Sequence, residues 1–415
     1  MSGTTSPRRL KWAGFLGIFV WGSIAGLLGA ILPGLRERAG ISLDQSGGLF
    51  VALSSGLVAA SLVAGVALDR LGKKAVLGTA VALVVASLVS LEFTNAFPLL
   101  LVLAFALGAG GSAVVTGAHA LISDLNPEHR AAALNLLDFF FGVGAFVTPF
   151  AIVPLQRVGG LAAVLFALAA LAALVLAYVL TVRFPAPPRA GGHSLSAAST
   201  VARSPFFLLP ALMIFLYVGT EQSVWDWQVT YFMRQLSMDN VEAARVLSIF
   251  PIAIMLGRLL TNRVLQRVAA TQVLVVSTLG AAACFAFILL THAAAAAGAA
   301  LFVAGLFMAS IYPTTLGVLS GRFPEASGTV LGLAITCGWL GSVVISPSFG
   351  FVAHRSDFGS AYLVVVLAAG AMVLTAGILV RQKERPAPAA TAGQGGSPGP
   401  AFPTPERVDS WSAVD

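Results

Sequence analysis

Charge is what this sequence has least of. Of its 415 residues, 10% are Asp, Glu, Lys or Arg, against 58% hydrophobic, and the mean hydropathy is +0.91. A soluble domain carries roughly 25% charge, so a fully water-facing shell around a chain of this length is excluded. Cysteine is nearly absent too. Cys284 and Cys337 both fall in apolar runs, which supports neither a disulfide framework nor a zinc site. There is no Gly-x-x-x-x-Gly-Lys loop, which argues against an ATP-driven pump, and no His-Glu-x-x-His pair. Together with the lack of a soluble catalytic domain, this leads us to expect no enzyme activity, no cofactor and no metal.

What is present is a succession of apolar runs, each long enough to cross about 30 Å of hydrocarbon at about 1.5 Å per residue. We place spans at roughly 12–34, 46–68, 75–93, 98–122, 132–154, 161–183, 206–230, 243–264, 272–290, 295–320, 328–350 and 360–380. The first run follows the basic stretch "SPRRLK" and is too long for a signal-peptide core, so it reads as the first transmembrane helix. A break rich in Pro, Gly, Ser and Ala separates the sixth and seventh spans. It divides the chain into an N-terminal half (1–183), a linker (184–204) and a C-terminal half (205–381). Residues 382–415 have the composition of a disordered tail. The expected class is an all-α membrane protein of twelve helices.

The basic residues set the orientation. Seventeen Lys and Arg fall in segments on the side of the termini, six on the other side, and Arg258 lies within a span, which accounts for all 24. The bias places both termini in the cytoplasm. It also explains the net charge of +7 without a nucleic-acid partner.

An internal repeat runs through the chain. "SDLNPEHRAAALNL" (123–136) matches "SGRFPEASGTVLGL" (320–333) at Ser, Pro, Glu and two Leu positions, with a constant offset of 197. These are the 4–5 and 10–11 loops, six spans apart. "GVALDRLGKK" (65–74) and "GRLLTNRVLQR" (257–267) correspond similarly at the ends of spans 2 and 8. Parallel repeats of this kind imply a pseudo-twofold axis along the membrane normal and a cavity between the halves.

At "GVALDRLGKK" the chain resembles the major facilitator superfamily, whose loop 2–3 signature Gly65, Asp69, Arg70, Gly72, Lys73 and Lys74 would carry. Within that superfamily "GAILPGL" in span 1, "LNLLDFFFGVGA" in span 5 and "YVGTE" in span 7 are similar to the fucose–proton symporter and sodium-dependent glucose transporter-like branch. The resemblance implies twelve helices in two pseudo-symmetric halves. It also implies that the signature acts as a charge and helix-dipole latch between them. Fucose-type symporters carry acids in spans 1 and 4, where this chain has Gly29 and Ala or Val.

Candidate substrate or coupling-ion residues follow from polarity within the spans. An isolated Glu221, well inside span 7, costs several kcal/mol in hydrocarbon and is tolerated facing a cavity or a partner. Spaced four apart, Glu221 and Trp225 share a helix face, an acid beside an aromatic that suits a sugar. Asp226 should point elsewhere. His119 in span 4 and Asp138 in span 5 form a candidate proton pair. Gln222, Tyr312 and Trp339 add hydrogen-bonding and aromatic capacity. Arg258 is assigned to the structural network beside the latch rather than to the substrate.

Two functions remain open at this point. One is a secondary transporter of a small polar solute, a sugar, coupled to protons or sodium. The other is a drug or amphiphile exporter, against which the "GVGAFVTPF" of span 5 weighs because it lacks a Gly-Pro pair. The expected partners are the lipid bilayer and a small-molecule substrate, and the expected state is a monomer.

Overall fold

The computed structural model describes residues 6–185 and 201–382. The stretches 186–200 and 383–415, which hold most of the expected linker and tail, lie outside the described residues. Twelve membrane crossings account for the helices that are described. Span 1 is broken into Pro7–Ala25 and Leu27–Ala39 at Gly26. Spans 2, 3 and 4 are Leu43–Leu71, Lys73–Glu92 and Phe97–Asp124. Spans 5 and 6 lie within Arg130–Thr181, which turns at Gly159 and Gly160. Gly160 has φ +62°, a left-handed conformation that costs a side-chain-bearing residue and that glycine adopts freely.

The C-terminal half continues with Pro205–Gln235, Asn240–Val264 and Ala270–Leu290 as spans 7 to 9. Span 10 is interrupted between Ala294–Met308 and Ile311–Arg322, and spans 11 and 12 are Ser327–Arg355 and Phe358–Gln382. Eleven crossings meet length and hydropathy criteria outright. Span 1 is the twelfth, with its break and its basic start.

Local chemistry sets several boundaries. Ser42 and Gln45 form a reciprocal capping box at the start of span 2. The Asp239 carboxylate accepts from the Glu242 N–H at the start of span 8. Asp357 precedes span 12, and the Ser360 hydroxyl and N–H that donate to its carboxylate hold its pKa below the usual range.

Each half has its own apolar core. The core of the N-terminal half extends onto the ends of spans 7, 10 and 11 nearest the chain termini, through Ile214, Leu316, Leu319, Val330 and Leu331. The halves therefore close on each other at the face that carries the termini. Ser123 and Ser320, the residues matched by the repeat offset, hydrogen-bond each other at 2.8 Å. Equivalent residues in direct contact place the pseudo-twofold axis between them.

Spans 2 and 11 cross without room for side chains. A Cβ on Gly332 would stand 2.5 Å from the Ser61 carbonyl oxygen and 2.7 Å from the Gly65 Cα. Both are backbone atoms that cannot rotate away. Overpacking of this kind costs about 1–3 kcal/mol, so Gly332→Val should prise the halves apart at this face. Spin labels on Leu71 and Glu325, both exposed beside the crossing, should report a longer distance. An unchanged distance distribution would remove the crossing as a constraint.

Candidate substrate and coupling-ion site

Five spans bring polar side chains to one buried cluster on the seam between the halves. His119 on span 4 is 1% exposed and Asp138 on span 5 is 4% exposed. The His119 Nε2 lies 3.0 Å from the Asp138 Oδ1. The other ring nitrogen, Nδ1, is 2.8 Å from the Val115 carbonyl one turn back. That carbonyl only accepts, so Nδ1 carries a hydrogen.

The C-terminal half answers with a cation. Arg258 on span 8, 7% exposed, donates through Nη1 to the main-chain carbonyl of Asp138 at 2.9 Å. Arg258 and Asp138 interact electrostatically with Tyr217 and Glu221 on span 7. Tyr217 is buried, whereas Glu221 keeps part of its surface open. Tyr312 of span 10 closes the group, its ring edge-on to His119 with centroids 5.9 Å apart and 5.8 Å from that of Tyr217. Span 10 is interrupted just before this residue, at Ala309 and Ser310.

The structure thus gathers His119, Asp138, Glu221, Tyr312 and Arg258, and adds Tyr217. Spaced four before Glu221, Tyr217 was findable as a neighbour on the same helix face. Arg258, assigned from the sequence to a network near the loop, stands inside this cluster. The other expected residues lie apart. Trp225 is 43% exposed and meets Phe250 of span 8 edge-on, with centroids 6.1 Å apart. Gln222 donates to Asp226 Oδ1 at 2.8 Å. Asp226 also accepts from the Ser346 hydroxyl of span 11, whose carbonyl receives the Trp227 indole N–H. This second group ties span 7 to span 11. Trp339 packs beside the first core with its indole N–H buried and unpartnered.

Towards the termini the seam is barred in layers. Ser61 and Thr336 pair at 2.8 Å, and Asn135 donates to Thr314 at 3.0 Å. Asn262 donates to the Ala132 carbonyl at 2.7 Å. At the surface, Asp69 accepts from the Gly328 N–H at 3.1 Å and from both the N–H and the hydroxyl of Thr329 at 2.7 Å. A carboxylate at the positive end of span 11 is favoured by the helix dipole and its free N–H groups. Lys73 pairs with Asp124 at 2.7 Å, and Asp124 in turn accepts from Ser327 of the other half. Lys74 donates to the carbonyls of Leu180 and Val182 at the end of span 6. Gly72, at φ +85°, turns the chain into span 3, and Arg70 completes the stretch.

Comparison with known proteins agrees with this architecture. The solved structure of the Escherichia coli fucose:proton symporter FucP (N162A) superposes with a TM-score of 0.76 at 21% identity. The superposition covers 88% of this chain and 97% of that one. The human organic anion transporter MFSD10 superposes with a TM-score of 0.72 at 18% identity, covering 91% and 100% of the two chains. In sequence, the uncharacterized MFS-type transporter YfkL of Bacillus subtilis is 22% identical over 86% of this chain and 93% of its own length. The mouse sodium-dependent glucose transporter 1A is 29% identical over 33% of this chain and 32% of its own. The sequence model of the Major Facilitator Superfamily matches residues 14–346, with a second match over 227–414. With most of its length matched by that model, this multi-pass membrane chain belongs to the Major Facilitator Superfamily and is a transporter by family and by fold.

Proposed function

We propose that the protein is a secondary active transporter that moves a small polar solute, a sugar, across the cytoplasmic membrane by alternating access in symport with protons. It works as a monomer with both termini in the cytoplasm. The observation that carries this reading is the charge of the buried cluster. Asp138 and Glu221 bring two carboxylates against the single guanidinium of Arg258, so the group carries one negative charge in excess unless it takes up a proton, on the His119 imidazole or on a carboxylate. Uncompensated charge inside a membrane protein is expensive, and the imidazole supplies a proton site where the excess lies. Glu221 and Tyr217 then offer an acceptor and a donor to solute hydroxyls, with Tyr312 beside them as an aromatic wall. Two relatives named for fucose and glucose transport support the choice of a sugar.

Proteoliposomes with an imposed pH gradient test this reading, with labelled L-fucose, D-xylose, D-glucose and D-galactose as probes. Uptake of one sugar, abolished by a protonophore, is expected. Gradient-driven expulsion of a hydrophobic dye without sugar uptake would overturn it in favour of export. Asp138→Asn should remove gradient-driven accumulation and retain sugar exchange, because binding does not need the carboxylate whereas proton coupling does. Normal accumulation in that variant would remove the proton pair from the mechanism.

A further inference from the structure

The base of span 1 carries cations that no described residue answers. Arg8, Lys11, Trp12 and Phe15 recur at helical spacing and so share one face of the helix. Arg8 is exposed, Trp12 is 40% exposed and Lys11 is half-buried. Among the described residues, neither Arg8 nor Lys11 has a hydrogen-bond or ion-pair partner. Nor does the neighbouring sequence offer an acid. Residues 1–36 hold none, and the only one in residues 130–181 is Asp138, which is buried in the seam cluster.

Deeper along the same face the surroundings turn aromatic. The Trp12 indole stands edge-on to Phe15 and to Phe140 of span 5, with ring centroids 6.0 and 5.9 Å apart. Phe15 stacks on Phe140 at 4.9 Å. Spans 1 and 5 are fixed against each other, because a Cβ on Gly22 or Gly144 would run into the main chain of the opposite helix. At the base, the Tyr178 hydroxyl of span 6 donates to the Arg9 carbonyl at 3.1 Å. The helix start that bears the cations is therefore anchored. Trp12 lies about 8 Å along the axis from the first helical residue, and Trp marks the boundary between headgroups and hydrocarbon. Lys and Arg lay their stems on apolar surface and keep their charged heads in the polar layer. A zwitterionic headgroup would bring its own cation against Arg8 and Lys11. An anionic one brings a phosphate alone.

We infer that Arg8, Lys11 and Trp12 form a site for an anionic phospholipid of the leaflet on the side of the termini. The two cations take its phosphate, and Trp12, Phe15 and Phe140 receive the first part of an acyl chain. Spans 1 and 5 belong to one half and cross without slack, so the site keeps its shape as the halves move and holds its lipid in every access state. The bound lipid fixes the depth of the span 1 base while the C-terminal half moves against it. The site calls on no residue of the seam cluster, so it depends neither on the identity of the solute nor on proton coupling.

Native mass spectrometry of the full chain tests this. The protein is released from vesicles of equal parts phosphatidylglycerol and phosphatidylcholine, and the lipids that stay bound are weighed. Phosphatidylglycerol should be retained more than about tenfold over phosphatidylcholine at about 0.1 M salt, and less so at about 0.5 M, where screening is stronger. Arg8→Gln and Lys11→Gln should each lower that preference about fivefold, and together remove it. Arg183→Gln, which alters an exposed cation at the same membrane edge, should leave it unchanged. Soluble glycerol phosphate should not displace the lipid, because it has no chain for the aromatic column. Displacement by it would overturn the lipid assignment in favour of a free phosphate. Equal retention of the two lipids by the wild type would overturn the site outright, and that comparison decides the matter should a variant fail to fold. Equal losses in Arg183→Gln and Lys11→Gln would overturn it too, since surface charge alone would then explain the preference.

Discussion

Glu221→Gln is expected to abolish proton-driven accumulation and to weaken solute binding by more than tenfold, while Asp226→Asn leaves both within a few-fold of wild type. The first substitution removes the excess carboxylate. Asp138 and Arg258 then balance each other with a neutral His119, and the cluster no longer demands a proton. It also replaces a charged acceptor by a neutral one. Hydrogen bonds to charged groups contribute about 1.5–3 kcal/mol against about 0.5–1.5 for neutral ones, which sets the scale of the binding loss. Asp226 is exposed, and an asparagine there keeps an oxygen for the Gln222 amide N–H while its NH2 can donate to the Ser346 hydroxyl, which accepts as well as donates. Uptake in proteoliposomes and sugar binding by calorimetry separate the two effects. Equal, near-wild-type transport by both variants would reduce Glu221 to a packing feature.

The second large effect is expected at Asp69. Asp69→Asn should slow transport about 30-fold and leave solute binding nearly intact. The carboxylate accepts three hydrogen bonds across the seam, two of them from the first N–H groups of span 11. An asparagine can present one oxygen to these donors and must turn its amide NH2 towards the rest. A loss of about 2 kcal/mol at a two-state element shifts its populations by more than tenfold. The closed arrangement at the terminal face would become rarer, and the cycle would stall in the opposite state. The labels on Leu71 and Glu325 should move apart in parallel. Loss of binding with the fold intact would instead place Asp69 at the solute.

The crossings are legible in the sequence because each is a run of some twenty apolar residues, a signal that neighbouring helices do not modify. The repeat is legible because loops at a membrane surface keep turn-forming residues at fixed offsets. The breaks are not. Gly26 sits in "GSIAGLLGA", among glycines that elsewhere stay helical, and Ser310 sits in "MASIYP" with no proline until Pro313. Which of these positions interrupts a helix depends on what packs beside it. Charge within a span can be read directly, which is why Glu221, His119 and Asp138 stand out. Arg258 is read as a charge within span 8 in the same way, but the side of the helix it faces is not. Its place follows from the rotation of span 8 about its own axis against span 5, and a single sequence holds no measure of that angle. For the same reason Gln222, one residue from Glu221, looks equivalent in the sequence yet is occupied by Asp226.

The Ser123–Ser320 contact carries a consequence about ancestry. A residue on a twofold axis faces its own copy, so before two halves diverge the same side chain must satisfy itself. Lysine and ionised aspartate cannot do this, since two like charges would meet. A hydroxyl both donates and accepts, so two identical serines can form one hydrogen bond with no change in either. This is the rule for the centre of a self-complementary dimer interface, and it is kept here within one chain. Removing the Ser320 hydroxyl alone leaves the buried Ser123 hydroxyl without its acceptor and should cost more than removing both, whereas Ser320 without Ser123 still donates to the Gly317 carbonyl at 3.3 Å.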